Sequence, residues 1–143
     1  MNTIVLDASV AAKWFLPASG ETLVEEATAL FGRYAKGELR FIVPDLFWPE
    51  IGNILWKAVR QNRCSKDSAE ESISSLAARK LPTISSEQLL PEAFAIATSF
   101  NRTVYDSIYV ALAITSKSEL VTADERLANA LAARLPVKWL GAC

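Results

Sequence analysis

The sequence predicts an α/β fold, layered and built on a mostly parallel sheet. Three observations carry this. Short apolar runs of strand length recur five times. Segments of helical spacing separate them, and capping or turn residues mark the junctions. The chain has 143 residues, 51% of them apolar and 22% charged. A single domain of this size buries roughly two thirds of the surface its unfolded chain exposes.

The first run, Thr3–Leu6, ends on Asp7, a charge placed where a buried strand leaves its sheet. From Glu21 to Ala35 apolar residues fall at Leu23, Ala27, Leu30, Phe31 and Tyr34, a helical spacing, and Gly37 follows as a C-terminal cap. Phe41–Val43 reads as the second strand. Pro44 and Asp45 then start a helix to about Arg60, with Pro49 early enough to be tolerated. Asp67-x-x-Glu70 has the form of a capping box for a helix near Ser68–Arg79. Thr83–Ser85 is the third strand and Ser86–Phe100 a further helix. Thr103-x-x-Asp106 opens the helix Val104–Ser116. Leu120–Thr122 is the fourth strand, Asp124 opens a helix over Glu125–Ala133, and Val137–Leu140 is the fifth strand.

Composition excludes several chemistries. The chain has no histidine, so Ser-His-Asp and Cys-His schemes lose their usual base, and imidazole zinc sites cannot form. Two cysteines, Cys64 and Cys143, cannot supply four zinc ligands and read as free thiols of a reducing cytoplasm. A formal charge of −1 argues against binding nucleic acid through bulk positive charge but leaves room for a local basic patch. No signal peptide is expected, and no uncharged apolar stretch of about 18 residues suggests a membrane span.

What remains is carboxylate chemistry. Ligands of open α/β folds bind beyond the carboxyl ends of the strands. Asp7 follows strand one, and Asp124 follows the strand ending at Thr122. Glu50 and Asp106 lie early in helices that start at that same edge. Each acid has a structural alternative. Asp7 can cap the turn Asp7–Val10, Asp106 can be a capping-box acid, Asp124 an N-cap and Glu50 a solvated helix residue. Convergence of all four on one edge points instead to a site. Two carboxylates about 5 Å apart repel by roughly 3 kcal/mol at an effective dielectric near 20. A hard divalent cation removes that conflict, and oxygen-only ligands suit Mg²⁺ or Mn²⁺.

The segments VLDASV, PEIGNIL, VYDSIYVALA and LVTADERL, in this order, closely resemble the PIN-domain nucleases, and within them the VapC-type toxins of toxin–antitoxin pairs. The resemblance spans nearly the whole chain as one PIN domain over residues 1–143. It implies a three-layer α/β/α fold with a five-stranded parallel sheet of order 3-2-1-4-5. It implies a Mg²⁺- or Mn²⁺-dependent endoribonuclease whose acidic quartet is Asp7, Glu50, Asp106 and Asp124. Ser9 and Thr122 match hydroxyl residues that orient carboxylates or water, and Asn53, three residues after Glu50, can face the same way. The resemblance further implies an RNA substrate, a homodimer and a cognate VapB-type antitoxin that masks the site, all in the cytoplasm. Competing classes are a metal-dependent adhesion module and a haloacid-dehalogenase-type phosphatase. The first lacks its second serine at Ala11; the second lacks an aspartate at Ser9. A DNA nuclease with the same carboxylates is the nearest alternative.

Lys57, Arg60, Arg63 and Lys66 recur every third residue as a drifting basic stripe, which reads either as a set of phosphate contacts or as a solvated face; Lys13 and Arg102 lie near the predicted edge and read either as RNA contacts or as solvated charges. Trp14, Phe15, Phe47, Trp48 and Trp56 are expected mainly in the core, with some left to line an antitoxin groove. Ile108, Tyr109 and Leu112 are expected as core, with a dimer contact as the alternative.

Overall fold

Strand β1 (Asn2–Leu6) lies at the centre of the sheet, because its two faces are both apolar and both need covering. A computed structural model describes residues 2–143. Beside β1 run β2 (Leu39–Pro44) and β4 (Glu119–Thr122), with β3 (Thr83–Ile84) and β5 (Val137–Trp139) at the edges. The order is 3-2-1-4-5 and every pairing is parallel. In the register, Ile4 pairs with Phe41 on one side and with Glu119 on the other.

Alternation along β1 divides the core. Ile4 and Leu6 point to one face, packing with Phe41, Val43, Phe47, Ile51 and Leu55. Val5 points to the other, among Ile108, Val110, Leu112, Leu120 and Leu127. The first face is covered by α1 (Ala8–Ala11), α2 (Val24–Ala35), α3 (Phe47–Arg60) and α4 (Lys66–Ala78). The second is covered by α5 (Ser86–Phe100), α6 (Val104–Thr115) and α7 (Glu125–Leu131). The result is the three-layer α/β/α arrangement. Helix α6 is buried continuously from Ser107 to Ala113, as a helix between a sheet and a second helix must be.

Three helix starts differ from the sequence reading, and β1, β2 and β4 begin one or two residues earlier than it gave. Helix α2 begins at Val24, because Leu23 takes a left-handed backbone (φ 56°) and Glu21 is drawn away into ion pairs. Helix α3 begins at Phe47, leaving Pro44 as the end of β2 and Asp45 as a turn. The cap of α4 is Ser65, whose Oγ accepts from the Ser68 N–H at 3.1 Å; Asp67 only adds negative charge to the first turn. Gly37 sits at φ +76°, the conformation its place after α2 predicts.

The basic stripe does not fold into one continuous face; of its members, Lys57 and Arg63 line a common groove and Arg60 and Lys66 lie outside it. Helix α3 ends at Arg60, whose guanidinium lies 5.1 Å from the centroid of Trp56; Arg63 turns to Glu21, and Lys66 pairs with Glu70. Of the aromatic set, Phe47 is fully buried, Trp14, Phe15 and Trp48 pack partly against the core, and Trp56 is exposed. Ile108, Tyr109 and Leu112 are core, as expected.

Candidate active site

All four candidate acids line one cleft of about 370 Å³, at the carboxyl edge of the sheet. Asp7, Ser9, Pro49, Glu50, Asn53, Asp106 and Asp124 form its walls. Four different elements bring the acids there: the end of β1, the first turn of α3, the first turn of α6 and the start of α7. The capping alternatives are therefore not alternatives to convergence. Asp7 and Asp124 cap helices and line the cleft as well.

Asp7 is the most enclosed. Its Oδ1 accepts the Ser9 N–H at 3.2 Å, and its Oδ2 accepts the Thr122 hydroxyl at 2.7 Å. Burial nevertheless pushes its carboxyl above the ordinary value; the bonds from Thr122 and Ser9 offset part of that rise, and the Asp106 charge adds to it. Thr122 is fully buried and does two jobs, because its oxygen also accepts the Asp124 N–H at 3.1 Å. Ser9 Oγ accepts the Ala123 N–H at 3.2 Å, tying the β1 and β4 ends together. The Thr122 hydroxyl thus bonds the first acid directly, and the Ser9 hydroxyl bonds the chain between Thr122 and Asp124.

Glu50 accepts the Tyr109 hydroxyl at 2.5 Å. Its carboxyl is raised by desolvation first, then by the Asp7 and Asp106 charges, with the tyrosine bond opposing. Tyr109 itself is held protonated, its pKa driven far upward by burial and by the Asp7 and Glu50 charges. Sequence reasoning assigned Tyr109 to the core and missed this bond. The available signal was that a buried phenol needs an acceptor. Asp106 is raised by desolvation and by Asp124, with Arg102 partly compensating. The Asp106 N–H donates to Thr103 Oγ1 at 3.1 Å, so the predicted cap is present. Asp124 Oδ1 accepts the Leu127 N–H at 3.1 Å. Asn53 is exposed on the cleft wall, on the α3 turn after Glu50.

Asp7, Glu50 and Asp124 each turn a carboxylate oxygen to a donor of their own, and among the described residues no three acidic or cysteine side chains close on one point. The donor set nonetheless fits a hard cation. It is all carboxylate oxygen, it shares one cleft, and three of its members are disfavoured as anions by burial and by one another.

A parallel 3-2-1-4-5 sheet with an acid-lined cleft at its carboxyl edge defines a class, and the sequence comparison agrees: the chain belongs to the PIN domain family, which it matches over residues 4–131. Among curated relatives, it is 33% identical over 128 residues to Ribonuclease VapC3 of Pyrobaculum aerophilum, covering 88% of this chain and 92% of that one. Among solved structures it resembles PAE2754 of the same organism, with a TM-score of 0.72 and 21% identity over 99% of this chain and 91% of that one. It also resembles a chain of a toxin–antitoxin complex from Klebsiella pneumoniae, with a TM-score of 0.60 and 17% identity over 94% and 95% of the two chains.

Proposed function

We propose that this protein is a divalent-metal-dependent endoribonuclease, the toxin of a toxin–antitoxin pair. The observation that carries the reading is the meeting of Asp7, Glu50, Asp106 and Asp124 from four separate elements in one cleft. Similarity to a protein named as a ribonuclease supports the choice of RNA over DNA.

The four carboxylates would hold Mg²⁺ or Mn²⁺. Such an ion, when bound, acidifies a water and offsets the charge of a phosphodiester. The chain's own residues do the positioning. Thr122 and the Ser9 amide fix both oxygens of Asp7, and Tyr109 fixes one oxygen of Glu50. Asn53 offers an amide at the cleft rim to a phosphate or a water.

A VapB-type antitoxin is the inferred partner, supported by the likeness to a chain of a toxin–antitoxin complex. An aromatic pocket of about 200 Å³, lined by Trp14, Phe15, Phe31, Tyr34 and Phe41, has room for an apolar anchor side chain of such a partner. A homodimer fits the exposed Leu90 and Phe94, one turn apart on α5. No helix of the described residues is long and apolar enough to cross a membrane. Free Cys64 and Cys143 suit a cytoplasmic setting.

The test is expression without a partner, followed by sequencing of RNA ends after brief induction. The wild type should arrest growth and produce new cleavage ends, and Asp7→Asn should do neither. Normal growth with abundant soluble wild-type protein would overturn the toxin reading.

A further inference from the structure

A second groove, of about 410 Å³, opens directly from the acidic cleft: Ser9, Asn53, Ile54 and Asp124 line both. Its far walls carry the opposite charge. Lys13, Lys57 and Arg63 face it, against the single added carboxylate of Glu21. Glu21 binds two of the cations, Lys13 Nζ at 3.1 Å through Oε1 and Arg63 Nη2 at 2.8 Å through Oε2. Those bonds outweigh the burial that would raise Glu21, and its carboxyl is lowered. Gly20 leaves the space that the Arg63 guanidinium fills; a Cβ there would collide with it. Lys57 is exposed on the opposite wall and has no ion-pair partner among the described residues.

This arrangement is more than a staple for the loop between α1 and α2. One carboxylate is shared by two cations, so the network keeps a net positive charge, and Lys13 keeps it with only 8% of its side chain exposed. Packing alone does not call for that. Replacing a buried ion network by apolar side chains is often neutral or stabilising. A positive groove that continues from an acidic cleft suits a polyanion crossing from one to the other. It carries cations where a backbone phosphate would lie outside the cleft, and oxygen ligands where one would lie within it.

We propose that the groove lined by Lys13, Lys57 and Arg63 seats a backbone phosphate of single-stranded RNA next to the one held at the acidic cleft. This rests on the ribonuclease reading and gives its substrate a direction, from α7 towards the link between α3 and α4.

Binding of a fluorescein-labelled, mixed-sequence single-stranded RNA oligonucleotide is measured by anisotropy in Mg²⁺ over a salt series, in the Asp106→Asn background. Lys57→Gln breaks no ion pair, so its fold is expected to be intact. It should weaken binding severalfold and flatten the plot of log Kd against log salt by about 0.7, the value for one lost single-strand phosphate contact. Arg63→Gln should act in the same direction. The exposed Lys36→Gln, outside the groove, should change neither quantity. Wild-type cleavage of the same RNA in Mn²⁺ is followed in parallel. If the wild type cleaves while both groove variants, folded by circular dichroism, bind with unchanged Kd and slope, the groove assignment is overturned and the ribonuclease reading stands. If the wild type neither cleaves nor binds RNA, both fall.

Discussion

The Tyr109 hydroxyl donates to Glu50 Oε1 at 2.5 Å, joining α6 to α3 at one of the acids of the cleft, although the two residues lie 59 apart in sequence. The bond fixes an acid on one helix from the interior of another. Tyr109→Phe removes the donor and keeps the ring. A supporting hydrogen bond of this type typically changes metal affinity or activity by about 10- to 100-fold, and a similar loss is expected here. Mn²⁺ titration followed by a thermal-shift assay checks it independently of cleavage. An unchanged Mn²⁺ midpoint would show that Glu50 needs no such support.

Thr122 is buried and bonded on both sides, to Asp7 Oδ2 and to the Asp124 N–H. Thr122→Val keeps the shape and leaves two buried polar partners short of a bond. The expected cost is about 1–3 kcal/mol in urea unfolding. Thr122→Ser should restore most of it. Equal stability of the Val and Ser variants would contradict the assigned bonds.

Asp124 both caps α7 and lines the cleft, and the two roles separate by chemistry. Asparagine caps a helix about as well as aspartate, but lacks the charge. Asp124→Asn should therefore keep stability and lose cleavage. Asp124→Ala should lose cleavage and about 1 kcal/mol of stability. Thermal melts of the two variants, beside a cleavage assay, decide it.

Asp106 faces Asp124 and Asp7 as a like charge. Without divalent cations, Asp106→Asn should stabilise the fold. The expected gain is about 1 kcal/mol or less, the scale of a charge pair that solvent partly screens. With saturating Mn²⁺ the order should reverse, because the wild type gains more from the ion. Melting curves in EDTA and in Mn²⁺ test the crossover; the same sign in both media would refute it.

The same charges set a pH dependence. Asp7, Glu50 and Asp106 titrate above their ordinary values of 3.8, 4.5 and 3.8. Above those values the folded protein binds more protons than the unfolded chain. Their contribution is therefore favourable on the acid side and lost as pH rises through the raised values. Glu21, lowered by Lys13 and Arg63, acts oppositely: its contribution is lost as pH falls below 4.5. The metal-free protein should thus melt higher at mildly acidic pH than at neutral pH, and the Mn²⁺ gain should shrink on acidification. A metal-free melting temperature that climbs steadily towards neutral pH would show that the quartet is not strained.

Much of this protein is determined by its sequence alone. The five strands and most helix bounds follow from spacing that repeats within a few residues. The caps at Thr103 and Asp124 and the turn at Gly37 follow from chemistry equally local. The four acids were legible for a related reason. In a parallel sheet the end of every strand and the start of the helix after it lie on one edge, so position along the chain implies position in space. Tertiary structure decided what depends on approach between distant segments. Thr122 meets Asp7 across 115 residues, Tyr109 meets Glu50, and Arg63 leaves its apparent stripe for Glu21, 42 residues earlier. No local period encodes such pairs, because which buried donor finds which acceptor is settled only when the layers pack and water is excluded from between them.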